Sequence, residues 1–199
     1  ERNIYLADQG RDTFLMNTKE MKLVGVHNAE NVMAAIAIAE AMRVPREIYL
    51  NTIKNFDAIE HRIEYVATIK DVVYYNDSKG TNTDASKKAL EAMENKTVLI
   101  AGGYDKGSEY DDWVEAFGDK IKCLVLLGAT ADKIEETARR HGFTNIRRVK
   151  SLQEAVVTAS ENADAGETVL LSPACASWDM FKSYEERGKL FKQYVKELR

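Results

Sequence analysis

The run Ser172-Pro173-Ala174-Cys175-Ala176-Ser177-Trp178 follows directly on Glu167-Thr168-Val169-Leu170-Leu171, which has the pattern of a buried strand. A strand that ends in small residues and opens into a helix is how α/β folds build ligand sites, because the first turn of a helix presents unpaired backbone N–H groups to an anion. This reading predicts a helix over 178–198. Ser177 is then the ligand candidate near its start, and Tyr184, Gly188, Phe191, Val195 and Leu198 form a core-facing stripe. Gly188 in mid-helix predicts close packing against a neighbour. Cys175 has two readings. It is a small packed residue, or it is a thiol nucleophile that needs His27, His61 or His141 as its base. The sequence places no histidine beside it, which favours packing.

Three further clusters carry groups suited to anions or nucleotides. Asn76-Asp77-Ser78-Lys79-Gly80-Thr81-Asn82 ends the strand pattern Val72–Tyr75, a little after His61-Arg62. Ligands of open parallel sheets sit beyond the carboxyl ends of strands. There Asp77 can accept from ribose hydroxyls, Lys79 can meet a phosphate or carboxylate, and Thr81 can donate to an anion. The alternative is a turn that only caps a helix over 83–94. Ala101-Gly102-Gly103-Tyr104-Asp105-Lys106-Gly107 follows a strand over 97–101 and offers a lysine in a glycine-rich loop. It is neither a Walker A loop nor G-x-G-x-x-G, since Tyr104 stands at the second glycine, and G-x4-G-K-[ST] occurs nowhere in these residues. In His27-Asn28-Ala29-Glu30-Asn31, Asn28 caps the helix that follows. With Asn31 one turn on, it either forms a pair of amides fit for a nucleobase edge or is no more than a cap.

The elements that must position these groups fall into two regions. Residues 3–7 and 12–16 are extended runs around the hairpin signal Asp8-Gln9-Gly10-Arg11, and helical patterns over 29–42 and from Pro45 follow them. After residues 58–60, β-type and helical runs alternate to the end, which predicts a mostly parallel sheet flanked by helices, an α/β fold of Rossmann-like topology. The expected division is 1–57, an incomplete remnant of a domain; 58–60, a linker; and 61–199, a complete domain. The chain begins at Glu1 and is read as a piece of a longer protein. Its 199 residues are 45% hydrophobic with net charge −4 and interleaved signs, which excludes the basic stripe of a nucleic-acid binder. The apolar run 32–39 is too short to span a bilayer, so a cytosolic protein is expected, without membrane or nucleic-acid partners and monomeric. Two cysteines and three histidines give no metal-binding spacing.

In their order the motifs H-N-x-x-N (27–31), H-R (61–62), N-D-S-K-x-T-N (76–82), G-G-x-D-K-G (102–107), S-P-A-C-A-S (172–177) and F-K-x-[FY]-E-x-R-G (181–188) resemble one family. It is the muramyl peptide (Mur) ligases of bacterial cell-wall synthesis, and within it the D-glutamate-adding branch, from about Val24 to the end. The resemblance implies that 1–57 ends an ATP-binding central domain whose P-loop, carbamylated lysine and Mg2+ ligands lie outside this chain. It implies Asn28 and Asn31 at the adenine of ATP, and Arg62 and Asp77 at its ribose and phosphates with Lys79 nearby. Thr81, Lys106, Ser177, Trp178 and Tyr184 would hold D-glutamate, Lys106 on the side-chain carboxylate. No residue here is assigned a catalytic role or a metal. The implied reaction joins D-glutamate to UDP-N-acetylmuramoyl-L-alanine through an acyl phosphate. Two departures stand out: Glu60 where proline commonly precedes His-Arg, and Gly80 in place of a common alanine, which predicts a more mobile Lys79 loop. Other amino-acid-adding ligases of the family, the folate polyglutamate ligases, and a non-catalytic Rossmann-like module remain as alternatives.

Overall fold

The computed structural model describes residues 2–8 and 10–198. The chain divides into two compact units, one up to Ala58 and one from Ile59.

In the first unit, β1 (Asn3–Asp8) and β2 (Arg11–Asn17) pair antiparallel. Gln9 of the expected hairpin turn lies outside the described residues. Helices α1 (Val26–Ala41) and α2 (Arg46–Asn55) complete the unit around a small core of Ile4, Leu15, Met16, Val32, Ile36 and Tyr49. Inside it the Tyr49 hydroxyl donates to Glu40 Oε1 at 2.6 Å, and burial followed by that carboxylate pushes the phenol up to about 12. Helix α1 begins earlier than expected. Gly25, at φ 96°, precedes it and no side chain caps it. Asn28 is therefore inside the first turn and not the cap; its Nδ2 donates back to the Val24 carbonyl at 2.7 Å.

The second unit is a six-stranded sheet in the order β3-β4-β8-β5-β6-β7. The strands are β3 (Glu64–Ile69), β4 (Val72–Asn76), β5 (Thr97–Ala101), β6 (Ile121–Leu126), β7 (Ile146–Arg148) and β8 (Thr168–Leu171). Only β3, at the edge, runs antiparallel; β4, β8, β5, β6 and β7 are mutually parallel, as the alternating pattern predicts. The helices are α3 (Thr83–Ala92), α4 (Asp111–Glu115), α5 (Ala131–Arg140), α6 (Leu152–Asn162) and α7 (Tyr184–Glu197). Val98, Ile100, Val125, Val169 and Leu171 meet α6 and α7 through Ala155, Val156, Phe191 and Val195. Alternate strand residues point the other way, so Leu99, Leu124 and Leu170 are equally buried on the opposite face, the side of Leu90, Trp113 and Ile134.

Helix α7 starts six residues later than the sequence pattern suggested, at Tyr184 rather than at Trp178. Ser183 sets the boundary: its Oγ accepts from Glu186 N at 3.3 Å while the Glu186 carboxylate accepts from Lys182 N at 2.6 Å, a reciprocal start signal like a capping box. Residues 172–183 are consequently a loop, and the small-residue run after β8 does not sit on a helix N-terminus. Among the described residues no helix is long and apolar enough to cross a membrane.

The two-stranded β1–β2 hairpin has an open edge on each side, whereas β5 is covered by β8 and β6. Backbone amides of 3–8 and 11–17 are expected to exchange with solvent much faster than those of Val98–Ile100. Hydrogen exchange read by mass spectrometry or NMR checks this, and equal protection would contradict it.

Candidate functional site

Strands β4, β8 and β5 are adjacent and in register, Asn76 opposite Leu171 and Leu171 opposite Ile100. The three segments that leave their carboxyl ends, 77–82, 172–183 and 102–110, therefore emerge side by side at one end of the sheet, where parallel sheets bind ligands. These are the segments that carry Asp77, Lys79, Thr81, Lys106, Ser177 and Trp178.

One buried side chain ties them together. Arg187, on the first turns of α7, is 2% exposed. Its Nε donates to Ser78 Oγ at 3.0 Å, Nη2 to the Ser78 carbonyl at 2.8 Å and the Cys175 carbonyl at 3.2 Å, and Nη1 to the carbonyls of Cys175 and Ala176. Ser78 Oγ in turn donates to the Tyr184 carbonyl at 2.7 Å. Among the described residues no carboxylate pairs with this guanidinium. Burial pushes its pKa down to about 10, still high enough to keep it charged at neutral pH. The β5 loop joins through Tyr104 N, which donates to the Ala176 carbonyl at 2.9 Å. A Cβ on Gly103 would lie 2.2 Å from that same carbonyl, and one on Gly102 would lie 2.0 Å from the Leu127 carbonyl. These two glycines thus serve packing of loop on loop rather than approach to a phosphate; only Gly107 has open space around it.

Asp77 is buried, with both oxygens engaged. Oδ2 accepts from Ser172 Oγ at 2.7 Å and Oδ1 from Ile63 N at 3.3 Å. Ser172 Oγ also reaches Ser86 Oγ at 2.9 Å, and Trp113 Nε1 donates to that serine at 2.9 Å, so a polar chain runs through the core beneath the site. Burial pushes the Asp77 carboxyl up to about 7, against the lowering by Ser172, Ile63 N and the guanidiniums of Arg62 and Arg187. Gly80 is what admits it: a Cβ there would stand 2.3 Å from Asp77 Oδ2 and 2.9 Å from Ser172 Oγ. Gly80 is buried and its missing methyl is replaced by a carboxylate, which corrects the expectation of a loosened loop. The cap of α3 is Asn82, whose Oδ1 accepts from Ala85 N at 2.8 Å, so Lys79 and Thr81 are not needed for that task.

The cations of the site are free of such ties. Arg62 and Lys106 are exposed and Lys79 is half-buried, and among the described residues none of the three has a carboxylate within ion-pair reach. Lys79 Nζ stands 5.6 Å over the Tyr184 ring, whose other neighbour is the His61 imidazole, edge-on at 6.1 Å. Tyr104 and Trp178 form an exposed aromatic pair with centroids 5.6 Å apart. Ser177 is 2% exposed and its carbonyl accepts from Met180 N and Phe181 N, so it opens a turn and not a helix. Asn28, half-buried, and Asn31, exposed, belong to the first unit.

Cys175 is packed, as its surroundings in sequence favoured. Its Sγ lies 3.1 Å from Tyr110 Oη and 3.3 Å from Thr130 Oγ1, with no histidine alongside, and burial pushes the thiol up, away from the thiolate a nucleophile needs. Arg187 and Ser172 escaped the sequence reading, although Arg187 stands in the motif ending at Gly188. Among the described residues no group of three His, Cys, Asp or Glu side chains could hold a metal ion.

Residues 61–175 match the family described as Mur ligase, glutamate ligase domain. The chain is 54% identical over 199 residues to the UDP-N-acetylmuramoylalanine--D-glutamate ligase of Lachnoclostridium phytofermentans, covering 100% of this chain and 44% of that protein. The chain thus spans less than half the length of the curated relatives it matches. In fold it is similar to UDP-N-acetylmuramate-alanine ligase MurC from Thermotoga maritima, with TM-score 0.67 and 16% identity over 90% of this chain and 40% of that one. It is also similar to MurF ligase from Thermotoga maritima, solved in complex with ADP, with TM-score 0.57 and 13% identity over 85% of this chain and 38% of that one.

The Asp77 carboxyl has a folded-state value of about 7, above its ordinary value of 3.8. The native state therefore holds a proton that the unfolded state releases, and this group's contribution to stability falls as pH rises from about 4 to about 7. Asp77→Asn, which stays neutral, is expected to gain stability relative to the parent across that interval, with the difference constant above it. Denaturant midpoints at pH 4, 5.5 and 8 measure it; parallel curves for the two proteins would refute it.

Proposed function

The chain belongs to the Mur ligase family, by its glutamate ligase domain, and on that premise we propose that it is the C-terminal part of an ATP-dependent ligase that adds D-glutamate to UDP-N-acetylmuramoyl-L-alanine. The observation that carries the reading is the 54% identity, along the whole chain, to a relative named for that activity. In this reading residues 1–57 end the ATP-binding central domain, and the exposed Tyr5, Phe14, Met33, Ile38 and Met42 are surfaces that the rest of that domain covers. The second unit brings the amino acid. With its nucleotide-linked substrate and ATP, the enzyme works in the cytoplasm.

The chemistry requires an alanyl carboxylate to become an acyl phosphate, a D-glutamate amine to attack it, and phosphate to leave through a tetrahedral intermediate. Every participant but the amine is anionic. Cations held in place before the reactants arrive lower the barrier by aligning them and stabilising the charge that develops, and alignment alone is worth several kcal/mol. Arg62, with Lys79 nearby, meets the phosphates of ATP; Asp77 faces the ribose, and Asn28 and Asn31 the adenine. Thr81, Ser177, Trp178 and Tyr184 border D-glutamate, and Lys106 takes its side-chain carboxylate. Mg2+ and the phosphate loop come from the part of the enzyme outside these residues.

Lys106 gives the sharpest test, because it is exposed on the loop that follows β5 and has no carboxylate within ion-pair reach among the described residues. A charge-assisted hydrogen bond is worth roughly 1.5–3 kcal/mol, about 10- to 150-fold in affinity. In the full-length enzyme Lys106→Ala is expected to raise KM for D-glutamate by that order and KM for ATP much less. Steady-state kinetics with the opposite pattern would reassign the loop to the nucleotide.

These residues contain no Walker A sequence. The 199-residue chain alone is therefore expected to release no phosphate from ATP in the presence of D-glutamate. A phosphate-release assay that shows D-glutamate-dependent turnover would overturn the reading of the chain as part of a shared site.

A further inference from the structure

Arg62 is flanked on both sides by residues in the left-handed backbone region, His61 at φ 67° and Ile63 at φ 45°. Neither is glycine, and a β-branched residue there is a genuine outlier. Such strain persists only where the surroundings over-determine it, and it concentrates where geometry serves function.

The surroundings here do over-determine it. The His61 ring is 2% exposed and lies flat on the helix at Gly188, where a Cβ would stand 2.2 Å from Nδ1. Asn76 Nδ2 donates to that same Nδ1 at 3.0 Å, which places the imidazole proton on Nε2. His61 N donates to Glu64 Oε2 at 3.0 Å and the His61 carbonyl accepts from Lys79 N at 3.0 Å. On the other side Ile63 is buried and its N–H donates to Asp77 Oδ1. Arg62 N donates to the Ile59 carbonyl at 3.0 Å. Backbone and neighbours are thus fixed while the Arg62 side chain alone is exposed.

We propose that Gly188 and Asp77 are positioning residues for Arg62: they clamp His61 and Ile63 in the left-handed region and so set the direction in which the guanidinium leaves the chain. The pocket that a missing Cβ opens on α7 accepts the His61 ring, and the inward carboxylate holds the next turn of backbone. The proposal deepens the assignment of Arg62 to the ATP phosphates and rests on it for its kinetic consequence, but not for the clamp itself.

Two measurements separate these. In the 199-residue chain, Gly188→Ala is expected to speed exchange of the Ile63 amide at least tenfold while Val98–Ile100 stay protected, although alanine is ordinarily the better residue in mid-helix. An unchanged Ile63 amide would overturn the clamp. If the single variant fails to fold, Gly188→Ala with His61→Ala removes the collision and is expected to fold with Ile63 still released; a protected Ile63 in that pair again overturns it. In the full-length enzyme, Arg62→Ala and Gly188→Ala are each expected to raise KM for ATP about tenfold, the loss of one charge-assisted contact. The double variant should be no worse than Arg62→Ala, since Gly188 acts through Arg62. Effects that multiply would refute the positioning role. A released Ile63 amide together with an ATP KM indifferent to Arg62→Ala would uphold the clamp and remove Arg62 from the phosphates.

Discussion

The site depends on a positive charge that meets no negative one. Burying a guanidinium costs several kcal/mol unless its donors are satisfied, and Arg187 satisfies its own on Ser78 Oγ and the carbonyls of Ser78, Cys175 and Ala176. Those carbonyls belong to the two loops that follow β4 and β8. A carboxylate partner would have neutralised the arginine while leaving the loops to find their own positions. Carbonyl partners make the desolvation penalty itself the restraint, because either loop can move only by leaving a buried donor unpaired. The planar fork matters as much as the charge, since it presents several donors in fixed directions and a lysine cannot.

Around this tie the fold removes atoms where it needs backbone to approach something. Gly103 yields its Cβ position to the Ala176 carbonyl, Gly80 to the Asp77 carboxylate and Gly188 to the His61 ring. In each case a side chain or strand end is brought closer than an alanine would allow. The result is a cluster of buried polar groups, hydrogen-bonded apart from His61 Nε2, directly beneath loops whose cations are unengaged. The arrangement is rigid below and available above, and pre-set charges stabilise an anion best where they need not reorganise to meet it.

The parallel sheet was legible because its strands, buried on both faces, read as continuous apolar runs such as Val98–Ala101 and Cys123–Leu126, separated by helical patterns. The loops at its carboxyl end were legible for the same reason. The start of α7 was misplaced because the apolar residues of 178–181 extend the helical rhythm, and only the Ser183-x-x-Glu186 pair marks where the helix begins. Asn28 has the residue type of a cap, yet Gly25 at φ 96° precedes the helix and leaves Asn28 inside its first turn. Gly188 could be read as a contact point, but not its partner: His61 is far away in sequence, and the pairing exists only once α7 crosses the end of β4. Arg187 carries no local signal of its burial. Nothing local distinguishes it, since its partners are main-chain atoms, and main-chain carbonyls leave no trace in a sequence.

The same blindness applies to Asp77, and there it bears on mechanism. As a residue type beside Lys79 it reads as a solvent-facing acceptor. In the fold it is the terminus of a polar chain through Ser172 and Ser86 to Trp113, with one oxygen on the backbone N–H of Ile63, next to Arg62. A carboxylate has about four acceptor sites, and the two hydrogen bonds from Ile63 N and Ser172 Oγ fix its orientation. Its protonation then has two effects of opposite value to the protein. The neutral acid is the easier form to bury, whereas the anion is the better acceptor for Ile63 N and Ser172 Oγ. Burial holds the carboxyl near the balance between the two.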